Sequence, residues 1–158
     1  MDEDAILALN AAHEVETSPL DRSQLRSLLA EAFHLGLKGP GGSQAFLIAF
    51  DQNAKYDSPN FLWFQRHFET FVYVDRVIVA RDLQGRGLAR SLYEDLFARA
   101  VSAGHRRVVC EVNEQPPNRA SDAFHQALGF EFAGRAELAD RDKVVRYLVK
   151  PLDGSFQP

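Results

Sequence analysis

Of 158 residues only one is cysteine, Cys110, which excludes an internal disulfide, and its neighbours Val108, Val109 and Val112 give it the setting of an ordinary buried thiol. No activating base stands near it in sequence, so a covalent relay through this sulfur is not expected. Long apolar runs are missing as well. Nothing approaches the roughly 20 residues that a membrane-spanning helix needs, and the acidic first residues lack the charged and apolar regions of an export signal. Runs of Lys and Arg are absent, and the net charge of −4 argues against nucleic acid as a partner. The histidines His13, His34, His67 and His105 show no metal-ligand spacing, so no metal is expected. These absences leave the expectation of a protein working in a reducing cytoplasm, away from membranes.

What is present is apolar material: 46% of the residues, with 12 Phe, enough for the core of one domain over residues 1–158. Spacing predicts a helix from Asp4 to about His13 and a second capped by Asp21 or Ser23, with Leu25, Leu28, Leu29 and Ala32 in its stripe. Lys38 to Ser43 reads as a loop and Gln44 to Phe50 as a buried strand. Ala54 to Phe64 begins as a turn and continues into an exposed-looking aromatic cluster. Phe71 to Ala80 is β-branched and aromatic, a central strand that, if regular, puts Phe71, Tyr73, Asp75, Val77 and Val79 on one face.

Leu88, Leu92, Leu96 and Ala100 recur every four positions in a helix from Gly85 to Ala103 that Gly104 stops. Arg106 to Val112 is a second buried strand. Pro116, Pro117 and Asn118 lead into a short helix ending at Gly129, and residues 130–138 and 143–150 form a hairpin around "ADRD". The class is α/β (α+β), with a mixed, mostly antiparallel sheet flanked by helices.

Between the central strand and its helix stands "QGRGLA". Two glycines before a fresh helix end bring unpaired N–H groups together where the helix dipole favours negative charge, which suits phosphate. They serve equally well as a plain turn. A Walker A loop would need Gly-Lys-Ser/Thr, and a dinucleotide fingerprint a small residue where Arg90 stands; a nucleotide-binding module therefore fits poorly.

With its flanks, "VIVARDLQGRGLARSLYEDL" resembles motif A of the GNAT N-acetyltransferases, Gln/Arg-x-x-Gly-x-Gly/Ala five residues after a strand valine. The pattern falls on Gln84, Gly87 and Ala89, with Val79 as the valine. "NRASDAFHQALGF", Asn118 to Phe130, resembles motif B in spacing. The resemblance covers residues 70 to 132. It implies acetyl-coenzyme A as cofactor: the pyrophosphate on Gln84, Gly85, Arg86, Gly87, Leu88 and Ala89 with Arg90 at their edge, and the pantetheine arm along Val77, Ile78 and Val79 as an added strand. Asn118 matches the asparagine that approaches this arm, and it is equally a preferred N-cap.

Acetyl transfer to an amine needs a proton acceptor, a polarised carbonyl and a leaving thiolate that is tolerated or protonated. A strand N–H near Val77 to Val79 could polarise the carbonyl if a bulge or splay exposes it. Asp75 and Glu111 each interrupt an apolar strand, either as a base acting directly or through water, or structurally, Asp75 in a salt bridge or strand-end contact involving Arg76 and Glu111 at a polar sheet edge. Where motif B usually has Tyr stands His125, able to protonate the thiolate or simply to pack beside Phe124 and Leu128. Tyr56, Asn60, Phe61 and Trp63 are candidates for an acceptor wall, a core-filling turn or a homodimer contact. The resemblance thus implies direct acetylation of an amine-bearing small molecule or peptide, with a non-catalytic coenzyme A sensor as the alternative.

Overall fold

The computed structural model describes residues 1–13, 17–115, 117–138 and 143–152. Among these, five helices and six strands follow in the order α1 (Glu3–Ala11), α2 (Arg22–Glu31), β1 (His34–Lys38), β2 (Ala45–Asp51), α3 (Pro59–His67), β3 (Val72–Val79), α4 (Leu88–Ser102), β4 (Arg107–Gln115), α5 (Arg119–Ala127), β5 (Glu131–Leu138) and β6 (Lys143–Pro151). The strands form one sheet in the order β1-β2-β3-β4-β6-β5, antiparallel throughout except where β3 meets β4. Among the described residues no helix is long and apolar enough to cross a membrane.

Each face of the sheet has its own core. On one, Ile6 and Leu25 from α1 and α2 and Phe61 and Phe64 from α3 pack on Phe46, Phe50, Phe71, Tyr73, Val109 and Tyr147. On the other, Leu92, Tyr93, Leu96 and Ala100 of α4 lie with Leu128 and Phe130 against Leu47, Val72, Val108 and Leu148. Local chemistry sets the helix ends. Asp21 and Gln24 form a capping box at α2, with bonds of 2.7 and 2.9 Å. Gly104, at φ +86°, follows the last turn of α4 as its spacing predicts.

Three segments depart from the sequence reading. β1 lies where none was expected. Its central Gly36 weakens the strand signal, but a Cβ there would come within 2.9 Å of Leu92, so the glycine lets α4 pack close. The aromatic segment after Pro59 is a helix rather than a turn with exposed rings: Pro59 fits its first turn, and Phe61 and Phe64 have no exposed surface. Finally, β3 does not stay regular. Ile48 pairs with Arg76 but Ala49 with Val74, so Asp75 is an extra residue, a β-bulge. Beyond it the faces swap: Val77 and Val79 join the α4 core, and Ile78 joins the other. β5 and β6 pair from Leu138 and Lys143 onward as a hairpin requires; the "ADRD" turn and Pro116 lie outside the described residues.

Candidate active site

The bulge turns two consecutive side chains, Asp75 and Arg76, to the same face, which a regular strand cannot do. Their carboxylate and guanidinium meet at 2.7 Å with side chains only 5% and 4% exposed. Arg76 also donates to Asn10 Oδ1 (2.8 Å), Ser18 O (3.2 Å) and Ser18 Oγ (3.1 Å), tying α1 and the segment after it to the sheet. Asp75 accepts a further hydrogen bond from the Tyr56 hydroxyl. Burial, and then the neighbouring Asp75 charge, raise the Tyr56 pKa above its usual value.

Beside this cluster lies a cavity of about 410 Å³ whose wall includes Ser18, Tyr56, Asn60, Tyr73, Asp75 and Glu111. It shares Ser18, Pro19, Tyr56, Ser58 and Arg76 with a groove of about 650 Å³ that runs along α2. Glu111 comes from β4. The Tyr73 hydroxyl donates to it at 2.8 Å, and Asn60, whose oxygen is occupied by the Tyr147 hydroxyl at 2.9 Å, turns its amide toward it. Burial dominates over these two bonds and, with the Asp75 charge adding to it, pushes the Glu111 pKa up to about 7. A part-buried carboxyl that titrates near neutrality is suited to taking a proton from an amine.

Glu111 stands two residues past the last rung between β3 and β4, which pair only at Val72 with Val108 and Tyr73 with Val109. From there the strands part. Ala80 N donates to Gln44 O on the β2 side at 2.9 Å, whereas Val79 O takes the Gln84 side chain at 3.3 Å on the other. By strand alternation the N–H groups of Val77 and Val79 therefore point into the gap. Above it the chain turns through Gly85 (φ +81°) and Gly87 (φ +80°), where an added Cβ would meet nothing within 4 Å. No side chain caps α4, so the N–H groups of Leu88, Ala89 and Arg90 lack intrahelical partners, and Arg86 and Arg90 are exposed beside them. The open cradle, the free helix end and the strand amides suit an elongated molecule with a diphosphate at one end.

Not every expected residue joins the cavity. Tyr56 and Asn60 line it; Phe61 has no exposed surface and lies behind them against Phe50, Tyr56 and Tyr73. Trp63 stacks on Tyr147 (4.3 Å) and His67 (3.7 Å) and fills the space left by Gly134, whose Cβ would come within 2.5 Å of it. His125 lies on the opposite sheet face. Its Nδ1 is 2.7 Å from Ser121 O, which only accepts, so Nδ1 carries the proton and Nε2 accepts from the Tyr93 hydroxyl at 2.8 Å. Burial lowers its pKa, and the imidazole is neutral with both nitrogens engaged. Asn118 caps α5, accepting from Ser121 N at 3.1 Å. Arg76 was named from the sequence only as a possible salt-bridge partner of Asp75, which it is; Tyr73, Asn113 and Lys143 were not singled out as site residues, and Tyr73 lay inside an apolar strand whose bulge no local signal marked.

The sequence model of the Acetyltransferase (GNAT) family matches residues 48–130. No curated protein matches the chain in sequence. Among solved structures, smu.2055 from Streptococcus mutans superposes with a TM-score of 0.73 at 16% identity, covering 96% of this chain and 94% of that one. The ribosomal-protein-S18-alanine N-acetyltransferase of Escherichia coli gives 0.69 at 20% identity over 96% and 88%. The acetyltransferase yncA of Salmonella typhimurium, solved with its cofactor acetyl-CoA, gives 0.70 at 19% identity over 100% and 94%.

Proposed function

The chain belongs to the acetyltransferase (GNAT) family, and from that premise we propose that it transfers an acetyl group from acetyl-coenzyme A to a primary amine by direct attack in a ternary complex. The observation that carries the amine reading is Glu111: a carboxylate with its pKa near neutrality, in a polar cavity, where the two strands part. In this reading Gln84 to Arg90 cradle the diphosphate of the cofactor and Val77, Ile78 and Val79 run along its arm. When bound, acetyl-coenzyme A supplies the thioester carbonyl that the amine attacks.

The chain's own groups do the rest. Glu111 takes the proton that an ammonium must lose before its nitrogen can attack, and the Tyr73 and Asn60 hydrogen bonds hold the carboxylate in place. An N–H of Val77 or Val79, already aimed into the gap, donates to oxygen as negative charge develops there, and as the C–N bond forms and the C–S bond breaks the sulfur leaves as free thiol with the second proton shed by the attacking nitrogen. Asp75 is committed to Arg76 and Tyr56, so it shapes the wall while Glu111 acts as base. His125, satisfied within its own core, moves no proton.

The test is a broad panel of primary amines with acetyl-coenzyme A, read by free thiol release and by mass of the acetylated amine. Thiol release matched by product on at least one amine is expected. Tight binding of acetyl-coenzyme A with no turnover on any amine would instead identify a non-catalytic sensor.

A further inference from the structure

We propose that the acceptor carries a carboxylate as well as its amine, and that Lys143 binds this carboxylate at the outer end of the cavity. The inference rests on the cavity being the acceptor site. Four charged side chains line it: Asp75, Arg76, Glu111 and Lys143. Asp75 and Arg76 neutralise each other, and three further N–H groups of Arg76 are engaged by Asn10 and Ser18. Glu111 is held by Tyr73. Lys143 is uncommitted: half-buried and lining the cavity with Leu138 and Val145, it makes no ion pair or hydrogen bond among the described residues. A carboxylate on the ligand would give this ammonium a charged partner that none of the described residues supplies.

Position bounds the length of that ligand. Glu111 pairs with Tyr147 across β4 and β6, and Lys143 lies four residues along β6 on the same face as Tyr147 and Val145. Four residues of strand span roughly 13 Å between backbones. The four-carbon stem of Lys143 bridges part of this distance, and Asn113 and Val145, which carry no charge, lie between the two groups. The span between backbones sets an upper bound on the separation of amine and carboxylate, and linear ω-amino carboxylates fall within it.

The probe is the ω-amino acid series from glycine to 6-aminohexanoate, set against n-alkylamines of matched length. For each pair kcat/KM is measured from thiol release. In the natural protein the ratio of acid to plain amine should climb with chain length to about tenfold or more, as expected of a charge-assisted hydrogen bond. In Lys143→Met the ratio should collapse to near one, and Lys143→Arg should retain it. A ratio near one in the natural protein, or one that Lys143→Met leaves in place, overturns the proposal. Absence of thiol release on every amine would mark a failure of the acetyl-transfer reading, and thermal shift with the same compounds then decides on Lys143. A shift with 6-aminohexanoate that hexylamine does not give, lost in Lys143→Met, sustains the proposal; equal shifts, or none, overturn it.

Discussion

Glu111 owes its chemistry to its neighbours, because a carboxyl on a solvated strand would titrate near its ordinary value of 4.5 rather than near 7. Replacing it with Gln should lower kcat/KM for an amine by about a hundredfold or more. The natural profile should rise through about pH 7 as the carboxylate forms, and Glu111→Gln should flatten that limb; a parallel profile at reduced height would remove the base from Glu111. Stability should run the other way. A carboxyl whose folded pKa is raised stabilises the fold below its unfolded pKa, and that contribution is lost as pH climbs from 4.5 to about 7, by no more than about 3 kcal/mol. Asp75 and Glu111 were both visible in the sequence as acids in apolar strands. Which of them is free to act was not: Arg76 could be named as a possible partner of Asp75, but a period-2 reading sends it to the opposite face, and only the bulge brings the two together.

Among elements, α4 and its glycine loop were legible because they are local: a four-residue apolar spacing, two glycines and a stop glycine specify them without the rest of the chain. β1 and α3 were obscured by long-range needs. Gly36 makes room for Leu92, Gly134 makes room for Trp63, and the aromatics of α3 are buried by sheet residues distant in sequence. The loop reading has a built-in control. Gly87 and Gly104 both hold φ above +79° with open space where a Cβ would sit, so Ala at either should cost a similar amount, about 1–2 kcal/mol, through backbone strain. Only Gly87→Ala should also weaken acetyl-coenzyme A, by about tenfold or more in calorimetric titration, if the cradle proposed for the diphosphate is its site. Equal affinities in the two variants would move the diphosphate elsewhere.

Across the whole molecule, Arg76 is the point where α1, the segment at Ser18 and the central strand converge. Arg76→Met should lower the urea midpoint by the equivalent of about 3 kcal/mol with an unchanged m value, because Asp75 is left as a buried charge without its partner. Adding Asp75→Asn should recover part of that loss; a single variant with the natural midpoint would show that the tie carries no stability. The sheet as a whole has a further property. With only two rungs joining β3 to β4, it carries four open borders instead of two: the rims at β1 and β5, and a pair of inner ones. Outer borders invite other proteins to add strands and must be blunted. The inner pair face each other across a slit, so the fold keeps unpaired amides ready for use while admitting only a guest as slender as one extended chain.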